Sequence, residues 1–171
     1  MIAKIHTVLW ALITLVIVVA LPEAALAADA ATTVQAQNVQ AKIALANAKV
    51  APGGEIGVTV KIAIEPGWHI YGNPVPEDFV PTSVEFDKTV IAKQQIKFPA
   101  PTPVTFKGLG ETLPVYEHSV KAAGTLTIDP KSKPGNYQLA GTFKFQECND
   151  NICKMPQAVK FEIPVTVAAA K

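Results

Sequence analysis

The stretch EIGVTVKIAI, residues 55–64, sets Ile56, Val58, Val60, Ile62 and Ile64 against Glu55, Gly57, Thr59, Lys61 and Ala63. Successive side chains of an extended chain point to opposite faces, so this decamer has one apolar face and one polar or small face. That is a strand buried on one side only. The same period of two runs through Lys42 to Lys49, TSVEF (82–86), VIAKQQIKF (90–98), SVKAAGTLTI (119–128), YQLAGTFKF (137–145) and AVKFEIPVTV (158–167), giving seven short candidate strands. Turn signals separate them: Ala51-Pro52-Gly53-Gly54, Glu65-Pro66-Gly67 and Lys133-Pro134-Gly135-Asn136.

No segment downstream of the N-terminal region carries a sustained 3.6-residue apolar stripe, and no internal repeat is present. The expected fold is all-β, an antiparallel β-sandwich of immunoglobulin-like type. The Cys…Trp…Cys order of true immunoglobulin domains is missing, because Trp68 lies upstream of both cysteines, Cys148 and Cys153.

At the N-terminus, Lys4 precedes the apolar run VLWALITLVIVVAL, then Pro22 and the small-residue pattern Ala25-Leu26-Ala27. This reads as a secretory signal peptide over 1–27, cleaved after Ala27. The run is shorter than the roughly 20 residues needed to span hydrocarbon, so no stable membrane insertion is expected after cleavage. No cysteine stands at the cleavage point to take a lipid. The expected compartment is the periplasm of a Gram-negative cell. Residues 28–38, poor in large apolar side chains, read as a flexible lead, and 39–171 as a single sandwich domain. A domain of that length builds its own core and does not depend on a disulfide to fold.

Net charge is +1 and the sequence contains no arginine. Phosphate and base recognition lean on the guanidinium fork, so nucleic acid is not an expected partner.

The only two cysteines lie in FQECNDNICKMP, residues 145–156. In an exported chain three chemistries are open to them. As a structural staple, a bridge between Cys148 and Cys153 closes so short a loop that the chain-entropy model gives only about 2 kcal/mol. As a metal clip, one C-x4-C pair falls short of the four ligands a stable zinc site wants, although copper(I) can take two thiolates with Met155 or a histidine. No metal and no cofactor is therefore expected. A reversible thiol pair needs an accessible attacking thiolate, a second sulfur within reach, and shielding from stray thiols. A short loop between two strands meets the first two needs. Two long proline- and aromatic-rich stretches, WHIYGNPVPEDFVP (68–81) and FPAPTPVTFKGLGETLPVY (98–116), are functional-loop candidates that can meet the third.

At this point the residues resemble a family. KFQECNDNICKMPQAVKFEIPV is similar to the end of the N-terminal periplasmic domain of the thiol:disulfide interchange protein DsbD, where an aromatic-Gln-x-Cys leads through a polar loop to a second Cys followed by proline. GWHIYGNPVPEDFVPTSVEF resembles the family's Gly-aromatic-x-hydrophobic-Tyr strand with its Asn-Pro and Pro-Thr elements, and FKGLGETLPVYEHSV resembles the cap loop and the strand after it. The resemblance runs over roughly residues 40 to 167. Met155 departs from the pattern, standing where a proline or another apolar residue often precedes Pro156, and the cap loop is longer, with Gly108 and Gly110.

The resemblance implies an immunoglobulin-like domain with a redox-active pair that relays electrons to oxidised periplasmic thiol proteins. It implies Cys153 as the cysteine that forms mixed disulfides and Cys148 as its resolving mate. Phe106 falls on the cap aromatic, and His69 and Tyr71 on two active-site-lining positions. The family's membrane and C-terminal thioredoxin-like domains have no counterpart in the sequence, so the expected electron donor is a membrane thiol transporter or a thioredoxin-like protein.

The flanking charges are compatible with these roles. Lys154 next to Cys153 favours a thiolate there, whereas Glu147 and Asp150 disfavour one at Cys148; all three read as solvated, which makes the support slight. His69 reads either as a thiolate partner or as a packing residue, Trp68 as a core or loop anchor, and His118 as a surface residue. Glu77, Asp78 and Glu111 read as solvated loop charge. The alternative of a different class is a non-catalytic exported binding or adaptor domain with a structural disulfide.

Overall fold

The computed structural model describes residues 30–108 and 110–169. Three sheets account for thirteen strands. The first has the order β1-β2-β4-β10-β7, built from β1 (Ala30–Ala36), β2 (Val39–Ala46), β4 (Glu55–Ile64), β10 (Ser119–Ile128) and β7 (Ile91–Lys97), all antiparallel. The second has the order β3-β13-β11-β6, from β3 (Lys49–Val50), β13 (Gln157–Val167), β11 (Gly135–Phe145) and β6 (Ser83–Phe86). The short β3 runs parallel to β13, the single departure from antiparallel pairing among the described strands.

The inner faces of these two sheets form the main core. Ile43, Val60, Leu126, Ile128, Phe145 and Ile163 are all 0% exposed, and Phe86 meets Phe161 edge to face with ring centroids 5.3 Å apart. Full burial of one such side chain is worth about 1.5–3 kcal/mol, so the alternation read in 55–64 fixes the register: a one-residue slip would turn five apolar residues of β4 to water. Gly141 of β11 is needed for this packing, since a Cβ there would lie 2.4 Å from the Phe161 ring.

The fold is the expected all-β immunoglobulin-like sandwich. The candidate strand 42–49 divides: β2 ends at Ala46, Asn47 turns with a φ of 63°, and Lys49–Val50 pairs with β13 in the other sheet. Two further differences lie in its strands. Residues 30–36, read as a loose lead, form the edge strand β1. Their own apolar content is small, with Val34 the only buried residue, but they pair with β2 in unbroken register from Ala30↔Leu45 to Ala36↔Val39. Ladder hydrogen bonds to β2, with the burial of Val34 alone, hold this strand. The segment read as a signal peptide lies outside the described residues.

The second difference is the long stretches. They contribute β5 (His69–Tyr71), β8 (Thr102–Phe106) and β9 (Glu111–Glu117), which with β12 (Glu147–Cys148) make a third sheet of order β12-β5-β9-β8. Proline masked this hairpin in the sequence: Pro103 and Pro114 face each other across the β8–β9 pair. The sheet continues from the ends of β4 and β11 and carries its own apolar cluster of Tyr71, Phe106, Leu113, Val115 and Cys148.

Candidate functional site

Cys148 and Cys153 close a hairpin that β12 opens. The two form an isolated antiparallel bridge and are joined by a disulfide, with Cα atoms 4.1 Å apart. Much of this hairpin is held without the sulfurs. The Asn149 amide donates to the Ile152 carbonyl at 2.9 Å, and Asn149 Oδ1 accepts the amides of Asn151 and Ile152, each at 2.9 Å. One step outside the cysteines, the Lys154 amide donates to the Glu147 carbonyl at 2.9 Å and Gln146 Nε2 to the Lys154 carbonyl at 3.1 Å.

The two sulfur residues differ in access. Cys148 is 1% exposed and belongs to the apolar cluster, whereas Cys153 is exposed. Beside Cys153 stand two exposed apolar side chains, Ile152 at 55% and Met155 at 81%. The Tyr71 hydroxyl lies 3.0 Å from Cys148 Sγ and 3.2 Å from Cys153 Sγ. Neither sulfur of a disulfide carries a proton, so the phenol is the donor, its single O–H shared between the two sulfurs. Burial pushes the Tyr71 phenol above its ordinary value, and the Glu111 carboxylate raises it further. Tyr71 therefore stays a proton-bearing donor through the neutral range. Phe79 packs on its ring at 4.7 Å.

Phe106 ends β8, is 0% exposed, and shares the cluster with Cys148 and Tyr71. Its hairpin turns at Gly110, whose amide donates to the Phe106 carbonyl at 2.8 Å and whose φ of 69° is the left-handed conformation glycine adopts freely. The tip touches the cysteine loop: a Cβ on Gly108 would come within 2.8 Å of the Asp150 carbonyl oxygen. The β8–β9 hairpin is thus seated on the cysteine loop by a close approach that only glycine permits.

His69 pairs in register with Cys148 and meets Phe106 edge to face at 5.3 Å. Its Nε2 lies 2.6 Å from Glu117 Oε1, and its buried Nδ1 has no hydrogen-bond partner among the described residues. The imidazole therefore bonds to Glu117, and no hydrogen bond joins it to a sulfur among the described residues. His118 is exposed, as are Glu77 and Asp78, while Glu111 is exposed but acts on Tyr71 through its charge. Trp68 is half-buried and packs against the main core.

Glu147, read as solvated, is 0% exposed. Lys154 Nζ lies 2.9 Å from Glu147 Oε1, stands 4.1 Å from the Trp68 ring centroid, and bonds to Gln37 Oε1. Asn38 Nδ2 donates to Glu147 Oε2 at 3.2 Å. The lysine charge is thereby paired with a buried carboxylate by proximity, as an ion pair whose Oε1 finds no hydrogen bond of good geometry. A signal for this lay in the sequence, because Leu139, Phe143 and Phe145 alternate inward and one further step of two reaches Glu147.

Among the described residues no group of three or more His, Cys, Asp or Glu side chains is placed to hold a metal ion. The arrangement suits thiol–disulfide exchange: a disulfide with one exposed and one buried cysteine, and a phenol within hydrogen-bond distance of both sulfurs.

A β-sandwich with a shielded cysteine hairpin at one end defines the class, a sandwich module built around a disulfide. The chain belongs to the family described as thiol:disulfide interchange protein DsbD, N-terminal, whose sequence model matches residues 23–164. Among solved structures it is similar to the N-terminal periplasmic domain of ScsB from Proteus mirabilis, with a TM-score of 0.60 and 15% identity over 81% of this chain and 51% of that one. The chain thus spans about half the length of that domain. It is also similar to the Neisseria meningitidis DsbD N-terminal domain in the reduced form, at 19% identity and a TM-score of 0.45 over 64% of this chain and 78% of that one. No curated protein sequence matches it.

Proposed function

We propose that the protein is a periplasmic electron relay that exchanges disulfides through Cys148 and Cys153. A thiolate of a dithiol donor attacks Cys153 Sγ, the Cys148–Cys153 bond breaks, and Cys148 leaves as a thiolate that accepts the Tyr71 hydrogen bond and then a proton. The donor's second thiol displaces Cys153, so the donor becomes a disulfide and this protein a dithiol, with two electrons and two protons transferred. In the second half, the Cys153 thiolate attacks a disulfide of an oxidised periplasmic protein. Cys148 then attacks Cys153 Sγ, which frees the partner as a dithiol and restores the bridge.

The observation that carries this reading is the asymmetry of the pair. A sulfur that meets partners has to be reachable, and Cys153 is exposed between Ile152 and Met155, which offer an apolar rim for docking. The resolving sulfur has to be protected, and Cys148 lies under Phe106 and Tyr71 at 1% exposure. The electron donor is a membrane thiol transporter or a thioredoxin-like protein, as the family relation and an exported chain together suggest.

Trapping tests the assignment. Cys148→Ser should accumulate mixed disulfides with periplasmic proteins on a non-reducing gel, and Cys153→Ser should not. The reverse pattern swaps the roles, and adducts from neither variant overturn the exchange reading in favour of a structural bridge.

A further inference from the structure

The cysteine hairpin has two sides. Its front carries the disulfide, Tyr71 and Phe106; its back carries an ion pair that the exchange chemistry above does not use. A fully buried carboxylate is costly unless it is paired and hydrogen-bonded, and an apolar side chain at such a position is often the more stable choice. Glu147 nevertheless occupies one, adjacent to Cys148, and its cation is supplied by the residue adjacent to Cys153. Charge therefore joins the same two chain segments as the disulfide, one position further out.

The pair is also enclosed by residues remote in sequence. Asn38 and Gln37, in the turn between β1 and β2, bond to Glu147 and Lys154 respectively, and Trp68 lies against the ammonium. Gln37 takes the left-handed conformation there, with φ of 49°. The N-terminal hairpin is thus docked on the back of the redox loop.

We propose that Glu147 and Lys154, completed by Gln37, Asn38 and Trp68, form a clamp that keeps the two cysteine strands in register when the disulfide is open, and so sets the equilibrium between dithiol and disulfide. The proposal rests on the exchange reading and adds to it a positioning role for residues that touch neither sulfur. In the disulfide state the covalent bond closes the hairpin by itself. In the dithiol state only non-covalent contacts do so, and contacts that survive reduction keep one sulfur near the other and favour re-closure. Without the clamp the reduced hairpin relaxes and gains freedom, while the oxidised hairpin stays closed and loses the full interaction. Loss of the clamp therefore costs the oxidised form more than the reduced form, and the equilibrium moves toward the dithiol.

The test is the equilibrium constant of the protein against glutathione and its disulfide, measured together with the stability of both redox forms. Glu147→Gln, which preserves shape and removes charge, should lower the constant for disulfide formation about threefold to tenfold, the size expected where contacting groups are coupled. Asn38→Ala, at a partly exposed turn where the fold is not at risk, should lower it in the same direction by a smaller factor. Lys154→Arg should restore a constant near that of the wild type where Lys154→Gln does not. A merely structural role would lower the stability of both forms equally and leave the constant unmoved; that outcome in Glu147→Gln and Asn38→Ala, with a wild type that equilibrates normally, overturns the clamp alone. A wild type that does not equilibrate with glutathione at all overturns the exchange reading and the clamp with it.

Discussion

Replacing Tyr71 with Phe isolates one hydroxyl. The ring keeps its contact with Phe79 at 4.7 Å and its place in β5, and only the donor 3.0 Å from Cys148 Sγ and 3.2 Å from Cys153 Sγ is lost. A hydrogen bond to a charged group is worth about 1.5–3 kcal/mol. The phenol also supports the neutral thiol weakly, so a net preference for the thiolate of about 1.4 kcal/mol is reasonable, which is about one pKa unit. Removing it raises the thiol pKa by that unit and cuts the thiolate fraction near neutrality about tenfold. The more basic thiolate is intrinsically more nucleophilic, with a Brønsted slope of about 0.4–0.5, which returns about threefold. The net expectation is a reaction about three to four times slower near neutral pH, with a midpoint of the pH–rate profile about one unit higher. The assay is alkylation of the reduced protein by a small thiol reagent across pH, with each cysteine followed by mass spectrometry. An unchanged midpoint would refute the view that the phenol stabilises a thiolate in this site.

Three further outcomes are expected. Phe106→Ala should speed alkylation of Cys148 severalfold, because the side chain that covers it is gone, and an unchanged rate would mean the shielding lies elsewhere. Reduction should leave the fold intact and lower Tm by about 4–8 °C, from about 2 kcal/mol for so short a ring, and wholesale unfolding would argue for a structural staple. Burial raises both Tyr71 and Tyr116, so the folded state holds these protons after the unfolded chain has begun to lose them at the ordinary value of 10.0. Stability from this source is complete below that pH and falls as pH rises beyond it; a flat stability profile through this alkaline range would contradict the burial of the two phenols.

The main sandwich was legible because its strands carry the period of two in large apolar residues: 55–64 and 119–128 coincide with β4 and β10. What was hidden follows from how the remaining strands are held. β1 depends on ladder bonds to β2, which leave no apolar trace in AATTVQA. β8 and β9 contain Pro103 and Pro114, residues that argue against a strand, yet the two fall opposite each other in a short hairpin of the small sheet. Of the candidate site, the cysteines, Tyr71 and Phe106 could be named as candidates from motif resemblance because they stand at recognisable intervals. The link from Gln37 and Asn38 to Glu147 and Lys154 could not, since Asn38 and Glu147 lie 109 positions apart and only the docking of the N-terminal hairpin brings them together. Local charge alone misled at Lys154, where the partner of the ammonium proved to be a buried carboxylate and not a thiolate.

The central claim is that the Cys148–Cys153 bond opens and closes as part of function. Its most direct test is the standard reduction potential, obtained by equilibrating the protein with glutathione or dithiothreitol buffers of graded poise and counting alkylated thiols. The exchange account predicts a value within the span of known exchange proteins, about −120 to −270 mV. A value below about −300 mV, where structural disulfides of secreted proteins lie, would contradict it.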